Sequence, residues 1–564
     1  MQLSLELPVE LPSNAYDVGV RSSGETHGVV HTKSHIVELV LDAAGYRADA
    51  DLLHLRLLEP SCGRGAFLAV AVRRLMKCAK SSDASPHDLT DRIRAFDLDP
   101  RSVAESKSLV FEILKESGME RSQAKRLIDA WIHTADFLLA PVSGEFDAVV
   151  GNPPYVRIEQ LDSALRTEYR RRYQTLFDRA DLYIAFVERG LSLLSPCGTL
   201  SYVCSDRWTT NRYGAPLRKF VAANFHVTTY IDLHTASPFE SQVAAYPSIF
   251  AISRQPERAV SVLRLPTATA EECTIASGCL RRGKSANALP HGMTFHRFDT
   301  WFERDEPWIR CSPQQLSALR DLEQRFEPIE RTAQVGIGVA TGSDEVFIVA
   351  NDVDIEPDRL VPLVMREDIE QGRVRDAKRY VINTFDDEGR LIELDQYPRL
   401  GAYFERHRDG VRGRHVAKKN PRTWFRTIDR VYPELVKRPK LLIPDIAGAN
   451  EVAMDPGRFH PHHNLYFITS DAWDMEVLGG ILASKVALFF VWAYATRMRG
   501  GYLRFQAQYL RRIRLPRPET IPAELATSIR SAFRSRDFAR LDQLAVLAYE
   551  LKSLPNFDFV DTRR

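Results

Sequence analysis

The order of apolar and polar positions divides the first part of the chain into alternating strands and helices. Short apolar runs typical of buried strands occupy residues 55–58, 93–96, 131–135, 146–150, 198–204, 227–233 and 246–252. Apolar residues at helical spacing, as in residues 69–79, separate most of these runs. Such alternation predicts an α/β fold with a seven-stranded, mostly parallel sheet. The last strand is expected to run antiparallel, because no convincing helix precedes it.

The alternation stops after residue 255, where short apolar runs mix with helical and strongly charged segments. We therefore predict a first domain over residues 1–255 and a mixed α+β domain over residues 256–518. In the tail, residues 519–564, apolar positions at helical spacing predict a helix over 541–554. A chain of 564 residues is also longer than one ordinary hydrophobic core supports.

The composition indicates a globular protein, with 44% hydrophobic and 27% charged residues. No apolar stretch is long enough to span a bilayer, and no basic start precedes an apolar run, so we expect neither secretion nor a membrane partner. The seven cysteines lack paired C-x-x-C spacing, which argues against a disulfide framework and a zinc centre. We expect a monomer in the reducing cytoplasm, without a metal.

Polar residues follow the first four predicted strands: Glu59, Asp97, Asp136 and Asn152. The carboxyl ends of parallel strands share one edge, where open α/β sheets bind ligands. After Glu59 a turn with two glycines leads into a helix, as in phosphate or nucleoside cradles. The third glycine of the dinucleotide fingerprint is missing, and Glu59 suits a cationic ligand better than a pyrophosphate.

The fourth strand ends in Asn152-Pro153-Pro154-Tyr155, because proline cannot donate a hydrogen bond to a sheet. This motif offers an amide oxygen, carbonyl groups held by proline rings and an aromatic face. Such groups suit a planar substrate with an amino group, for example a nucleobase turned out of its helix. An ordinary strand-ending turn is the alternative, and the other motifs decide between the two.

Taken in order, the motifs resemble those of gamma-class S-adenosylmethionine-dependent N6-adenine DNA methyltransferases, in particular the TaqI-like branch of restriction-modification enzymes. The matching segments are residues 28–32, 58–67, 97–100, 135–137 and 151–155. Lys33 departs from the pattern, because the class usually has proline after the threonine. The resemblance covers nearly the whole chain. It implies a Rossmann-like methyltransferase sheet that binds S-adenosylmethionine, followed by a TaqI-like target recognition domain.

The resemblance also implies roles for individual residues. Those that would receive the methionine end of the cofactor are Thr32, Glu59, Pro60, Cys62, Gly63 and Gly65. Asp97 would accept hydrogen bonds from the ribose and Asp136 from the cofactor's adenine amine, with Phe137 beside that ring. Those that would bind and activate the target adenine are Asn152, Pro153, Pro154, Tyr155 and Phe239, with Tyr246 as the second choice for the last.

Two segments of the second half concentrate positive charge, although the net charge of the chain is only +2. Residues 406–440 contain 12 Lys or Arg against three acids, and residues 494–517 contain seven arginines and no acid. Charge runs are usually solvated faces, but in a nearly neutral chain these two indicate a phosphate-contacting surface. The residues that we expect to bind DNA are Lys418, Lys419, Arg422, Arg499, Arg504, Arg511 and Arg512.

Two motifs leave alternatives open. The glycine-rich residues 334–347 are similar to the opening of TaqI-like recognition domains, and they suit either a phosphate-binding loop or a turn without a ligand. The sequence His460-Pro461-His462-His463 has no neighbouring cysteine and contains a proline, which favours a polar loop over a metal site.

Other functions must also be weighed. The Asn-Pro-Pro-Tyr motif serves enzymes that methylate a glutamine amide of proteins, but those resemble short chains with the catalytic domain last. An RNA methyltransferase would differ only in its substrate, whereas the basic segments favour double-stranded DNA. A non-catalytic specificity module would not need the site residues retained here. Pro444-Asp445 lacks the lysine of a nuclease site, so we expect no cleavage and allow for a separate restriction endonuclease.

Overall fold

The computed structural model describes residues 31–240, 246–256, 259–376, 378–447, 451–495 and 503–557. Gly28, Asn450 and Arg499 lie outside these ranges. The chain forms two compact units, one ending at Pro313 and the other beginning at Gln314.

In its described part, the first unit alternates strands and helices. The strands are β1 (Leu57–Glu59), β2 (Ile93–Asp97), β3 (Ile132–Thr134), β4 (Phe146–Gly151), β5 (Leu194–Ser205), β6 (His226–Asp232), β7 (Pro247–Ser253), β8 (Val260–Arg264) and β9 (Thr294–Phe298). The helices are α1 (Ser34–Ala43), α2 (Ala66–Ser81), α3 (Pro100–Glu116), α4 (Arg121–Trp131), α5 (Ser163–Arg172), α6 (Tyr183–Ser192), α7 (Ala215–Asn224) and α8 (Ala270–Arg282).

These strands form one sheet in the order β3-β2-β1-β4-β5-β7-β6-β8-β9. The α/β fold class is confirmed, and the seven predicted strands correspond to β1–β7. As expected, β7 is antiparallel to its neighbours β5 and β6. The sheet is larger than predicted, because β8 pairs parallel with β6 and β9 pairs antiparallel with β8.

The predicted boundary at residue 255 therefore falls inside the sheet, and the first unit continues to Pro313. The α/β alternation does not stop at 255, since α8 lies between β8 and β9. The side chain of Thr269 caps α8 by accepting a hydrogen bond from the Glu272 amide. Both added strands span only five residues, and such short runs carry a weak sequence pattern.

Helices α3 and α1 begin in different ways. Asp99 caps α3 through hydrogen bonds from the amides of Arg101 and Ser102, with Pro100 at the first helical position. Thr32 does not cap α1. The residue before α1 is Lys33, which makes no side-chain capping bond, and Thr32 instead pairs with Phe239 in an antiparallel bridge.

In its described part, the second unit mixes short strands and helices. The strands are β10 (Glu327–Pro328), β11 (Gln334–Ile337), β12 (Ile348–Ala350), β13 (Leu360–Val364), β14 (Ile369–Glu370), β15 (Arg373–Val374), β16 (Arg379–Ile382), β17 (Lys440–Pro444), β18 (Ile446–Ala447), β19 (Ala453–Asp455), β20 (His460–Pro461), β21 (Leu465–Thr469), β22 (Leu503–Arg504) and β23 (Arg514–Leu515). The helices are α9 (Pro313–Arg325), α10 (Asp344–Phe347), α11 (Pro398–Arg406), α12 (Arg408–Arg412), α13 (His415–Lys419), α14 (Pro433–Lys437), α15 (Met475–Leu482), α16 (Lys485–Tyr494), α17 (Ala507–Leu510), α18 (Ala523–Ser535) and α19 (Phe538–Ala548).

A six-stranded sheet, in the order β11-β21-β17-β19-β15-β14, and a four-stranded sheet, in the order β12-β16-β13-β20, dominate this unit. The mixed α+β character is as predicted. The tail is not separate, because α18 packs against α15 and α19 against α16. A Cβ atom at Gly479 would lie only 2.6 Å from the Phe533 ring, so α15 and α18 pack too closely for a larger residue there. The tail helix ends at Ala548 rather than at 554.

Among the described residues, no single helix is long and apolar enough to cross a membrane. The consecutive helices α15 and α16 together reach that length and apolarity, but they bend by 57° at their junction. Nearly all of their residues are buried.

A fully buried ion pair lies in the six-stranded sheet of the second unit. The Lys440 ammonium is 2.7 Å from Asp455 Oδ2, and both side chains are inaccessible to solvent. The Asp455 carboxylate also accepts hydrogen bonds from the amides of Arg458 and Phe459. Burial lowers the pKa of Lys440, and the hydrogen bond to Asp455 opposes this effect. The charge of Lys440 is therefore used within the core.

We expect Lys440→Met to lower the free energy of unfolding of the second unit by about 3–5 kcal/mol, because the Asp455 charge is left buried without its partner. Arg438→Met is the matched control. It removes an ion pair to Asp471, whose side chain is 94% exposed, and should cost less than about 1 kcal/mol. Urea unfolding followed by tryptophan fluorescence measures both. Equal losses in the two variants would contradict the expectation.

Candidate functional site

The turn after β1 is shaped by two glycines and tied to the neighbouring strand. Gly63 and Gly65 have φ values of +49° and +88°, a region that favours glycine. A Cβ atom at Gly65 would lie 3.1 Å from Ser106 Oγ, and that hydroxyl donates to the Gly63 carbonyl over 2.7 Å. The Cys62 amide donates to the Phe96 carbonyl at 2.8 Å. The turn is therefore fixed at the start of α2 by contacts with β2 and α3.

Asp97 links this turn to the end of β2. Its Oδ2 accepts from the Gly63 amide at 2.8 Å and its Oδ1 from the Asp99 amide at 2.9 Å. Burial raises its pKa, and these amide hydrogen bonds oppose the rise. Leu98, the next residue, is 46% exposed, which is unusual for a large apolar side chain. Leu98 is not among the predicted site residues, although its place directly after a strand-end carboxylate is a signal for one.

Glu59 is a buried carboxylate whose hydrogen bonding is incomplete. It is 1% exposed, and its Oε2 has no hydrogen-bond partner among the described residues. Burial raises its pKa well above the usual range, and the nearby Asp97 carboxylate adds to the rise. The side chain of Pro60 lies close to the end of β4, because a Cβ atom at Gly151 would be 3.9 Å from Pro60 Cδ. A buried acid without a partner points to a donor or cation supplied by a ligand.

Asp136 follows β3 and is held by two donors. Its Oδ1 accepts from the Leu138 amide at 2.8 Å and its Oδ2 from the Tyr169 hydroxyl at 2.7 Å. Burial raises the pKa of Asp136, against the hydrogen bond from Tyr169. No sequence pattern indicated Tyr169, which comes from α5. Three carboxylates, Glu59, Asp97 and Asp136, thus lie at the same edge of the sheet.

Phe137 is less accessible than its expected role suggests. It is 2% exposed and lies between the rings of Phe96 and Phe186, at centroid distances of 6.0 and 5.4 Å. The Arg189 guanidinium lies 4.8 Å from its ring centroid. Most of the Phe137 ring is therefore used in packing, whereas Leu98 offers an open apolar surface.

The motif at the end of β4 is fixed from both sides. The Ser61 hydroxyl donates to the Asn152 carbonyl at 3.1 Å, and Asn152 Nδ2 lies 3.4 Å from Thr32 Oγ1. Because the amide nitrogen is directed at Thr32, the amide oxygen is directed elsewhere. Thr32 thus contacts the amide of the motif, which local sequence could not reveal. Pro153 and Pro154 end the strand, as predicted.

Two aromatic rings meet edge-on beside this amide. Tyr155 and Phe239 have ring centroids 6.3 Å apart at an angle of 80°. The segment around Phe239 is paired with residues 31–33, since the Lys33 amide donates to the Pro238 carbonyl at 3.0 Å. Tyr246, the second choice for this position, instead stacks on His234. The structure therefore brings Phe239, and not Tyr246, next to Tyr155.

The basic segments of the second unit divide into two groups. Arg414 is directed inward and donates to the carbonyls of Thr341, Val411, Trp424 and Arg426. Lys440 is buried, as described above. Three aromatic residues within the basic segments, Trp424, Phe425 and Phe505, are core residues. Lys418, Lys419 and Arg422 are exposed, and no ion pair links them to other described residues. The exposed positive surface is smaller than the charge count predicts.

Of the other predicted DNA contacts, three are described and each already has a partner. Arg504 forms an ion pair with Asp445. Arg511 Nε lies 2.7 Å from Glu330 Oε1, and the Arg512 guanidinium lies 4.8 Å from the Tyr494 ring centroid. A DNA phosphate would compete with these contacts. The role of all these residues remains a prediction.

The glycines of residues 334–347 are explained by packing. A Cβ atom at Gly336 would lie 2.2 Å from the Phe467 ring, and one at Gly338 would lie 2.2 Å from the His462 carbonyl oxygen. Gly342 has a φ of +80°. Packing and backbone conformation therefore explain these glycines without a ligand, which favours the turn over the phosphate-binding loop.

The histidine motif is only partly a loop. His460 lies in β20, and burial lowers its pKa to about 4. His462, His463 and Asp344 bring three possible metal ligands within 4.8 Å of one another. However, His462 Nδ1 is buried and has no hydrogen-bond partner among the described residues, whereas a metal-bound imidazole normally donates its second N–H. The absence of a metal site therefore stays a prediction.

Comparison with known proteins identifies the relatives of this chain. Residues 69–239 match the family described as Eco57I restriction-modification methylase. The chain is 43% identical over 539 residues to the type II methyltransferase M.BstVI of Geobacillus stearothermophilus, covering 93% of this chain and 96% of that one. It is 44% identical over 533 residues to the type II methyltransferase M.PaeR7I of Pseudomonas aeruginosa, covering 93% and 92%.

One solved structure supports the fold over most of the length. It is that of the type IIL restriction-modification enzyme MmeI in complex with DNA, with a TM-score of 0.60 at 11% identity. The match covers 93% of this chain and 74% of that one. At this identity the likeness concerns the fold alone.

We expect Glu59→Gln to raise the melting temperature of the ligand-free protein at pH 8. The raised pKa of Glu59 means that the folded state binds its proton more tightly than the unfolded state. The charge of Glu59 therefore costs stability above the unfolded pKa of about 4.3, and the cost grows as the pH rises. Each 1 kcal/mol recovered should raise the melting temperature by about 2–4 °C.

Thermal unfolding from pH 5 to pH 8 measures this effect. The difference in melting temperature between Glu59→Gln and the wild-type protein should shrink as the pH falls, because residue 59 is then uncharged in both proteins. The exposed Glu116→Gln at the end of α3 serves as the control and should show no such trend. A constant difference at every pH would contradict the argument.

Proposed function

The chain belongs to the type II methyltransferases of restriction-modification systems, and we propose that it methylates N6 of adenine in double-stranded DNA. As a family member it is a DNA methyltransferase that uses S-adenosylmethionine.

The observation that carries the proposal is the Asn-Pro-Pro-Tyr segment at the end of β4, with Phe239 opposite Tyr155. The two rings offer aromatic surface to a planar group, and the Asn152 amide lies at the same strand end. An extruded nucleobase with an exocyclic amine matches these groups. The rings meet edge-on, with centroids 6.3 Å apart. In our proposal, a small movement of one ring admits the base.

The adenine amine is a poor nucleophile, because its lone pair is delocalised into the purine. In our proposal, the Asn152 amide oxygen and the Pro153 carbonyl accept hydrogen bonds from the two N6–H groups. These hydrogen bonds strengthen as the nitrogen becomes pyramidal and positive, so they favour the transition state over the ground state. Thr32 supports this role by holding the Asn152 amide nitrogen. Pro154 fixes the backbone that presents Tyr155.

The residues at the ends of β1, β2 and β3 fit the cofactor. The unpartnered Oε2 of buried Glu59 suits the methionine ammonium group, beside the turn from Cys62 to Gly65. Asp97 would accept from the ribose and Asp136 from the adenine amine. Leu98 would give the adenine ring a larger apolar contact than the buried Phe137 can offer. When bound, S-adenosylmethionine supplies an activated methyl group and leaves as a neutral thioether.

The second unit would recognise DNA, with Lys418, Lys419 and Arg422 contacting phosphates. Phosphate contacts position a protein on the duplex, whereas other groups must read the bases. A separate restriction endonuclease with the same site would complete the system. We place the enzyme in the cytoplasm, where its DNA substrate lies.

Asn152→Ala should slow methyl transfer at least about 10²-fold, because it removes an acceptor that stabilises the developing charge. Cofactor affinity should change less than about twofold, since that site follows β1, β2 and β3. Single-turnover transfer from labelled S-adenosylmethionine to unmodified genomic DNA measures the rate, and calorimetry measures the affinity. Mass spectrometry of the digested DNA should show N6-methyladenine.

Asn224→Ala, at the exposed end of α7, is the matched control and should leave both quantities unchanged. The proposal fails if the wild-type product is a methylated cytosine, or if RNA is methylated in preference to the duplex. The role of Asn152 is contradicted if Asn152→Ala keeps the wild-type rate of methyl transfer. It is also contradicted if this variant loses cofactor binding together with the rate.

Replacing Lys418, Lys419 and Arg422 with alanine should weaken DNA binding and flatten its dependence on salt. Each lost phosphate contact lowers the slope of log K against log salt by about 0.9, or about 2.7 for three. Fluorescence anisotropy with a labelled duplex at several salt concentrations measures the slope. The triple alanine variant of Arg73, Lys77 and Lys80, which are exposed basic residues on α2, removes the same charge and serves as the control. If both variants flatten the slope equally, residues 418–422 do not form the phosphate surface.

A further inference from the structure

The connection between β6 and β7 carries Phe239, and its two ends are held together. His234 lies just after β6 and Tyr246 just before β7. Their rings stack at a centroid distance of 4.8 Å and an angle of 29°. The Arg207 guanidinium lies 5.6 Å from the Tyr246 ring centroid. The position of the ends of this connection is therefore fixed.

Asp206, directly after β5, contacts both ends. Its amide donates to the Tyr246 carbonyl at 3.0 Å, and its Oδ2 lies 2.7 Å from His234 Nε2. The amide of His234 donates to Asp232 Oδ1 at 2.9 Å. One carboxylate thus joins the beginning of the connection to its end.

The Asp206 carboxylate is buried and has further partners. Arg310 Nη1 lies 2.7 Å from the same Oδ2 and also contacts the His234 ring. The Tyr230 hydroxyl donates to this oxygen at 3.2 Å. Side-chain exposure is 5% for Asp206 and 10% for Arg310. Burial would raise the pKa of Asp206, but His234 and Arg310 outweigh it and hold the pKa low. Such a cluster is rigid, because a shift of one member leaves a buried charge unpaired.

Phe239 belongs to this connection and is paired with residues 31–33. The amides of Lys33 and Glu240 donate to the carbonyls of Pro238 and His31 at 3.0 and 2.9 Å. The main chain on either side of Phe239 is thus paired with residues 31–33, while the ends of the connection are held by Asp206. The Phe239 ring meets Tyr155 in the geometry described above.

We propose that Asp206, together with His234 and Arg310, is a positioning group that sets the Phe239 ring opposite Tyr155 and so orients the extruded adenine. This inference rests on the proposed function. The cluster touches neither the carboxylates assigned to the cofactor nor Asn152 in the contacts described above. Its effect reaches the reaction through Phe239.

A purely structural role for the cluster makes a different prediction. Loss of a buried ion pair would then lower stability without acting through one particular side chain. A positioning role requires that the effect of Asp206 on the base disappear once the Phe239 ring is absent. A double-mutant cycle separates the two, because residues that act as a unit are not additive.

The experiment begins with wild-type protein expressed in a host without adenine methylation, where sequencing maps the modified sites. A duplex carrying such a site then serves for single-turnover methylation. The same duplex with 2-aminopurine at the target position reports extrusion of the base by fluorescence. Asp206→Asn should lower the single-turnover rate about 10²-fold, as expected of a misplaced reacting group, and should reduce the fluorescence change. Cofactor affinity should remain within about twofold.

Phe239→Ala and the double variant complete the cycle. In the Phe239→Ala background, Asp206→Asn should change the rate less than about threefold. Losses that multiply in the double variant would overturn the proposal, as would a wild-type rate for Asp206→Asn. If Asp206→Asn does not fold, His234→Asn, which removes the stack on Tyr246, replaces it in the same cycle with the same criteria.

Asp42→Asn is the matched control for stability. It breaks an ion pair to Arg74 with an Nη1–Oδ1 distance of 2.8 Å, in which both side chains are at most 20% exposed. This variant should melt at a lower temperature but keep the fluorescence change and the single-turnover rate. An equal loss of fluorescence in Asp42→Asn would overturn the proposal. If the wild-type protein methylates no adenine, the proposed function itself fails, whereas a multiplicative cycle refutes only the role of Asp206.

Discussion

Everything in the first unit depends on the in-register pairing of neighbouring parallel strands. Leu58 of β1 is opposite Arg94 of β2 and Val149 of β4. Because the three strands run in the same direction and end within two residues of one another, the groups that follow them share one edge of the sheet. The Asp97 carboxylate then links two of these ends by accepting the Gly63 amide. The sheet thus supplies the alignment of the strand ends on which the site is built.

The same edge shows a conflict between stability and ligand binding. Glu59, Asp97 and Asp136 all lose hydration there, and burial raises the pKa of each. Asp97 and Asp136 recover part of this cost from backbone and side-chain donors, whereas one oxygen of Glu59 has none among the described residues. A core designed for stability alone would not contain such a group. A ligand that supplies the missing donor, as we propose for Glu59, would offset this cost.

The sequence allowed β1–β7 and the strand-end residues to be predicted, because hydrophobic period and proline both act locally. It did not allow the pairing of Thr32 with Phe239, whose partners lie far apart in the chain. Charge counting also failed to distinguish Arg414, whose hydrogen bonds go to backbone carbonyls, from the exposed Lys418. A sequence does not show which Lys and Arg side chains form hydrogen bonds within the protein and which are exposed to solvent. Only the fold distinguishes them. The glycines near Gly336 likewise required knowledge of the opposing Phe467.

The pairing of β8 with β6 has a consequence for synthesis and for engineering. Until β8 has left the ribosome, one edge of β6 has no partner, and an open strand edge invites pairing with other chains. A fragment ending at residue 255 would keep that edge permanently and would also lack Arg310. Recombination between relatives that aims to exchange specificity should therefore join the chains after Pro313, where the first compact unit is complete.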